Sequence, residues 1–415
     1  MYTIGIIAEY NPFHNGHIYQ IKTIRAQYPK ARIIALMSGS FTQRGCPAII
    51  DKWQRAKYAI LSGVDLVLEL PTVFAVRSAQ DFARGGISLL TRLGIADGLA
   101  FSAESNPSVL KHIAAFIDTG KVQEKLHSYI REGKSYAAAL SCALAKISGA
   151  KEDIIKQPNN ILAIEYLRTL QRNNSSIKPL ILQRFGADHH DKDLHEHYAS
   201  ASAIRHEMQK FMPRRERLVQ VLPTNIVDSL LYAHKEQLLP KIDLLLRPLL
   251  IQLEKERETN IKEIYSINEG LENRLLYAAS YCQSMEEMLT LCCSRRYPRS
   301  RIQRLIIYLL LQLRQEDIHI FDEAGVLYAR ILSFNRTGKD MLHEIKRTDT
   351  IPLVSKISPF LKHTISESSQ QKNTLLANML KIDVRATELR RLVLPKINAR
   401  GEDFRQSPIF IRQIP

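Results

Sequence analysis

Residues 4–20, IGIIAEYNPFHNGHIYQ, leave a chain little choice of fold. Ile4, Gly5, Ile6, Ile7 and Ala8 form an apolar run too short and too β-branched for a helix, and it reads as a buried parallel strand. Asn11 and Pro12 end that strand. His14-Asn15-Gly16-His17 follows, then a helical pattern in which Ile18, Ile21 and Ile24 share one face. A strand, a sharp turn and a helix start describe a phosphate site. Gly16 lets a phosphate approach the backbone without a Cβ in the way, and the new helix offers N–H groups and the positive end of its dipole. The two imidazoles can donate to phosphate oxygens as charge builds on them.

Alternation continues downstream. Ala31 to Met37 (ARIIALM) reads as a second buried strand, ended by Ser38-Gly39-Ser40. Asp51 to Ser62 is helical, with Trp53, Ala56, Tyr58, Ala59 and Ile60 available for packing and Gly63 placed as a C-cap. Val64 to Leu70 (VDLVLEL) is a third strand, cut by Pro71. A helical pattern from Ser78 to Leu93, ended by Gly94, leads to a short strand near Leu99 to Phe101. This order predicts an α/β fold, a Rossmann-like parallel sheet with helices on both faces and ligands beyond the carboxyl ends of its strands. His14, the segment Ser38 to Arg44, and Ser102 all fall there.

A helical, amphipathic insertion occupies residues near 105–157, and Pro158-Asn159-Asn160 starts another helix. Pro179 to Arg184 (PLILQR) reads as the last strand of the sheet. A Gly/Asp/His-rich loop, 186–197, then leads to Ser200-Ala201-Ser202-Ala203-Ile204-Arg205. Small hydroxylated residues at a helix start, with an arginine one turn inside, describe a second phosphate cradle; an ordinary N-cap followed by a surface arginine has the same pattern. Beyond Pro213 the chain reads as nearly all helical, without alternating strands. The expected division is a nucleotide-binding domain over 1–212 and a mostly helical basic domain over 213–415.

Charge suggests what the second half is for. The chain of 415 residues carries a formal charge of +16 and a pI of about 9.6. Such an excess points to a polyanionic partner, nucleic acid before membrane, since no stretch pairs a Lys-rich face with a Trp/Phe-rich one. Residues 294–308, SRRYPRSRIQRLIIY, gather Arg295, Arg296, Arg299, Arg301 and Arg304 around Tyr297. Clustered arginines beside an aromatic suit phosphate pairing and base stacking on RNA, and a solvated basic face is the plain alternative. Cys46, Cys142, Cys282, Cys292 and Cys293 show no CxxC spacing, so neither a disulfide framework nor a zinc site is supported and a cytoplasmic location is expected. His189, His190, His195 and His197 read as a surface loop rather than a metal site. The N-terminus lacks the basic region of a signal peptide, and the run Leu305 to Leu311 is too short to span a bilayer.

The His-x-Gly-His spacing resembles the signature of the nucleotidyltransferase superfamily, which includes class I aminoacyl-tRNA synthetases and small adenylyltransferases. Five segments together carry a closer resemblance: GIIAEYNPFHNGH, MSGSFTQRGCPAIIDKWQRAKYAILSGVDLVLELP, SAQDFA, PNNILAIEYL and ASASAIR. In this order they resemble the bacterial tRNA(Met) cytidine acetate ligases, densely over the first half and on through RRYPRSRIQR. The resemblance implies activation of acetate by ATP to acetyl-adenylate, then acetyl transfer to N4 of the wobble cytidine of elongator tRNA(Met). It places ATP on Ile7, Ala8, Glu9, Tyr10, Asn11, Pro12, Phe13, His14, Asn15, Gly16, His17, Ile18, Tyr19 and Gln20, with further contacts from Ser102, Asn159 and Arg184. The family usually has glycine where this chain has Ser102. His14 and His17 would stabilise the pentavalent phosphorus, while Arg205, with Ser200, Ser202 and a Mg²⁺ held mainly by the ATP phosphates, would hold the leaving pyrophosphate. Asp51, Lys52 and Arg55 could reach phosphates or form an ordinary charged surface. An adenylyltransferase acting on a phosphorylated metabolite shares the histidine motif but gives the basic half no role. A catalytically silent RNA-binding protein on the same fold is the other alternative.

Overall fold

The computed structural model describes residues 1–149, 151–183, 198–258, 260–268, 270–361 and 370–412, with backbone alone at 257, 258 and 370–373. Five strands of the first 183 residues run parallel: β1 (Thr3–Ala8), β2 (Arg32–Ser38), β3 (Leu66–Leu70), β4 (Gly98–Ala103) and β5 (Lys178–Gln183). Their order is β5-β4-β1-β2-β3, with Ile6 beside Ala35 on one side and Ala100 on the other. Side chains alternate as the pleat demands. Ile34, Leu36, Leu66, Leu68 and Leu70 enter one core, and Ile33, Ala35, Met37 and Val67 enter the other. Burial on both faces explains why the strands are nearly continuous apolar runs. Strand order reverses at β1, so a crevice opens beyond the carboxyl ends of β1 and β4. The first helix, α1 (Asn15–Gln27), starts at that crevice and buries Ile21 and Ile24.

The insertion forms the helices Pro107–Phe116, Gly120–Arg131, Tyr136–Ser148 and Glu152–Lys156. The chain beyond 213 is mostly helical, but it also extends the sheet, contrary to the expectation of no further strands. β6 (Ala329–Phe334) pairs antiparallel with β3, and β7 (Leu353–Val354) and β8 (Ile409–Phe410) both pair with β6. A short strand buried at Ala329 to Ser333 has no alternation to betray it, and its partner lies more than two hundred residues earlier.

β6 changes the environment of α2 (Lys52–Leu61). Neither reading of its first residues survives. Asp51 caps the helix, accepting from the Gln54 N–H at 2.8 Å. Lys52 is 1% exposed and paired with Glu69 at 2.9 Å and Asp403 at 2.8 Å. Arg55 is fully buried and donates to the backbone carbonyls of Glu9, Ser38, Gly39 and Ile50. These cations hold strand ends together and face neither solvent nor substrate. Among the described residues no helix is long and apolar enough to cross a membrane.

Candidate active site

The start of α1 is capped by its own histidines. His14 has an extended backbone, and its Nδ1 accepts from the Gly16 N–H at 3.1 Å. The His17 Nδ1 in turn accepts from the His14 N–H at 3.1 Å. This is a capping box written in imidazoles. Its consequence is chemical: with both Nδ1 atoms accepting, the proton of each neutral ring sits on Nε2. The rings lie 3.8 Å apart at 31° and act as one unit. Tyr10 meets the His17 ring edge-on at 4.8 Å, and Phe13 packs at 5.3 Å. A Cβ on Gly16 would lie 2.9 Å from the His14 Cε1, so the glycine is required by the cap as well as by any phosphate.

A cavity of about 1030 Å³ opens here, lined by Ile7 to Asn11, His14, Gly16, His17, Tyr19 and Gln20. Pro12, Phe13, Asn15 and Ile18 belong to the same turn and helix but are not part of the lining. Burial pushes the Tyr10 phenol well above its ordinary value, and its hydroxyl has no hydrogen-bond partner among the described residues. Arg205, on the Ala201–Met208 helix, lines the same cavity. It donates to the Asn11 carbonyl at 2.7 Å and to the Ser202 Oγ at 3.0 Å. Burial pulls its guanidinium below the usual arginine value, the mark of a cation held with little water around it. Ser200, by contrast, is the N-cap of that helix, accepting from the Ala203 N–H at 3.0 Å, and it is buried outside the lining. The serine pair therefore splits: Ser202 faces the cavity and Ser200 builds the helix.

Ser102, near the end of β4, and Asn159 line the cavity with Phe101 and Tyr166. Asn159 donates to Glu104 at 2.5 Å, while the buried Asn160 ties the same helix start to the turn after β4 through Glu104 and Ser105. Arg184 and the four histidines of 189–197 lie outside the described residues.

The arginine cluster joins the same cavity. Arg296, Arg299, Arg301 and Arg304, around the start of the Arg299–Leu311 helix, line it together with Gln303 and Tyr308. Arg299 also forms two bonds to Glu286, at 2.6 and 2.5 Å. Arg295 is exposed and outside the lining. Tyr297 is 6% exposed and lies 5.0 Å beneath the Arg301 guanidinium, so it supports that arginine and is not an open stacking surface. Gly45, at φ +80°, brings the loop after β2 against this helix, where a Cβ would lie 2.7 Å from the Arg304 nitrogen.

Several lining residues carried no signal in the sequence. Tyr265 and Ser266 form a turn in a part of the sequence without a motif, and Tyr265 accepts from Arg77 at 2.7 Å. Cys46 faces the cavity too, but burial raises its thiol despite nearby Arg205, so it is no ready nucleophile. Among the described residues no group of three or more His, Cys, Asp or Glu could hold a metal ion. The chemistry available is the placing of cations and imidazole N–H groups around a polyanion.

A profile of the HIGH Nucleotidyl Transferase family matches residues 1–405. The chain is 35% identical to the tRNA(Met) cytidine acetate ligase of Syntrophomonas wolfei subsp. wolfei, with 99% of each chain covered. It is 36% identical to the protein of that name from Syntrophotalea carbinolica, again over 99% of each. Among solved structures it is similar to apo Thermotoga maritima TmcAL (form I), with a TM-score of 0.88, 30% identity and 100% of both chains covered. The same protein bound with alpha-thio ATP gives a TM-score of 0.86 at 30% identity.

Proposed function

The chain belongs to the tRNA(Met) cytidine acetate ligase family of HIGH nucleotidyl transferases, and from that premise we propose how its residues share the work. It is a ligase that uses ATP to acetylate a tRNA cytidine. ATP lies along the turn 7–20, its triphosphate against His14 and His17 and its adenine toward Ser102 and Asn159, with Arg184 carried over from the family resemblance alone. An acetate oxygen attacks the α-phosphorus, one P–O bond forms, and the bond to the β-phosphate breaks. Acetate is a weak nucleophile, so the step depends on position and on relief of phosphate charge. The Nε2–H groups of His14 and His17 serve the phosphoryl oxygens, and Arg205, steadied by Ser202, takes the departing pyrophosphate. A Mg²⁺ ion suits this donor set if it arrives on the triphosphate, neutralising phosphate charge, because the described residues offer no cage of their own. The N4 amine of the cytidine then attacks the acetyl carbonyl and AMP leaves.

Residues 1–212, with the helical insertion near 105–157, form the nucleotide half in this reading, and 213–415 bind the elongator tRNA. Arg296, Arg299, Arg301 and Arg304 reach the phosphates of RNA and, from the cavity wall, those of the nucleotide as well. Arg295 stands outside the wall and serves RNA alone. No obligatory protein partner enters this scheme, and five free cysteines accord with a reducing compartment such as the cytoplasm. The observation that carries the proposal is the pair of imidazoles whose Nδ1 atoms are both engaged by backbone N–H groups at the mouth of a nucleotide-sized cavity. Incubation with ATP, labelled acetate and unmodified elongator tRNA(Met), followed by nucleoside mass spectrometry, should yield N4-acetylcytidine. Acetate consumption without a labelled nucleoside would overturn the tRNA step, and no acetate-dependent pyrophosphate release would overturn the whole assignment.

A further inference from the structure

Outside the cavity, an exposed aromatic pair lies on a helix whose preceding turn lines it. Tyr277 and Tyr281, one helical turn apart on the Leu271–Tyr281 helix, are 59% and 66% exposed. Their rings touch at 4.8 Å, tilted by 46°. Arg274 sits on the same exposed face, while Leu271, Leu275 and Ala278 are buried on the other. The helix is tied to the cavity wall at its N-terminal end. Tyr265 and Ser266, just before the helix, line the cavity, and Asn268 accepts from Arg301 at 3.0 Å. Arg274 donates to the Cys293 carbonyl at 3.1 Å, beside the segment that carries exposed Arg295 and cavity-lining Arg299.

Two large rings held open to water, with guanidinium groups alongside, match the chemistry of unpaired nucleotides: faces for bases and cations for the phosphates between them. Buried Tyr297 cannot supply that face. We propose that Tyr277 and Tyr281, with Arg274 and Arg295, form a stacking platform for unpaired anticodon-loop nucleotides next to the cytidine that enters the cavity. The inference rests on the reading of the partner as tRNA and deepens it by naming where the loop lies. Glu286 pairs with Arg299 and offsets part of its charge, so Arg274 and Arg295 are the cations nearest the rings for the flanking backbone.

The test compares the wild-type protein with Y277A/Y281A and Y277F/Y281F, all positions being exposed enough to spare folding. The alanine pair should bind an unmodified elongator tRNA(Met) transcript at least ~10-fold more weakly, the loss of about one stacked base. Its acetate-dependent ATP–pyrophosphate exchange should stay within about twofold of wild type, since the rings lie outside the cavity. The phenylalanine pair should restore binding, and binding of a fully paired RNA duplex should not respond to either change. Unchanged transcript affinity in the alanine pair overturns the platform. So does an affinity loss shared equally with the duplex, or unchanged affinity with a shift in sedimentation, which would assign the rings to self-association. A wild-type protein that neither binds the transcript nor acetylates it removes the tRNA reading itself, a failure distinct from that of the platform.

Discussion

His14 and His17 are occupied twice over, once by the backbone and once by the chemistry assigned to them, and substitutions can separate the two. His14→Ala removes the acceptor for the Gly16 N–H and should cost about 1 kcal/mol of stability along with most of the adenylation rate. Asparagine is a good N-cap, so His14→Asn should recover the thermal midpoint and leave adenylation low. Recovery of both in the asparagine variant would reduce His14 to a cap. His17→Ala should lower acetate-dependent pyrophosphate release by at least ~100-fold, the scale of losing a donor to a developing oxyanion. Release at the wild-type rate would remove His17 from catalysis. The motif was legible because it is local: strand, turn, glycine and both rings fall within seventeen residues. The reason for Gly16 was less legible, since its clearance from the His14 ring depends on a rotamer. Ser200 and Ser202 looked alike in the sequence, and the register of one helix start made one a cap and the other a cavity residue.

Among elements, the parallel strands could be read in advance because β1 to β4 are buried on both faces and bounded by glycine, proline or serine, while β5, half-exposed at the sheet edge, keeps a short apolar run behind Pro179. β6 could not, because antiparallel pairing with β3 depends on a contact far along the chain. The same blind spot hid Lys52 and Arg55, which a helical pattern marks as surface charges until β6 and the strand ends enclose them. The arginine cluster was found by composition, yet its place beside the histidines required the loop after β2 to meet the Arg299–Leu311 helix. Gly45 makes that meeting possible. Gly45→Ala should cost about 1–2 kcal/mol for a left-handed alanine and push loop and helix apart. KM for ATP should then rise more than kcat falls, as the wall of the cavity opens while the histidines stay in place. Steady-state kinetics with an unchanged KM would show that this contact does not shape the site.

At the scale of the molecule, a buried ionic cluster joins the two halves of the chain. Lys52 and Arg330 face Glu69 and Asp403, with Lys52–Asp403 at 2.8 Å and Arg330–Asp403 at 2.9 Å. Burial would raise the Asp403 carboxyl, but Lys52 and Arg330 more than offset it and hold it below its usual value. Two cations and two carboxylates balance, and Asp383 is the extra acid. Its Oδ1 accepts from the Thr72 N–H at 2.7 Å, and Tyr328 donates to the other oxygen. Burial, with the charge of Glu69 added, pushes Asp383 up to about 7 against the partial offset of Lys52. The sign follows from linkage. Between its unfolded value near 4 and its folded value near 7, the folded protein holds a proton that the unfolded chain has lost, so this group weakens the fold as pH rises through that window. Above about 7 both states are ionised and the effect levels off. Asp383→Asn keeps an acceptor for Thr72 and cannot ionise. Its unfolding free energy relative to wild type should therefore climb from pH ~4 to pH ~7, by at most about 1.4 kcal/mol per pH unit, and then stay constant. Urea denaturation of both proteins at several pH values gives that difference directly. A difference that is flat across the window would mean that Asp383 is already ionised in the folded protein and that the seam between the first strands and the C-terminal part of the chain carries a net negative charge.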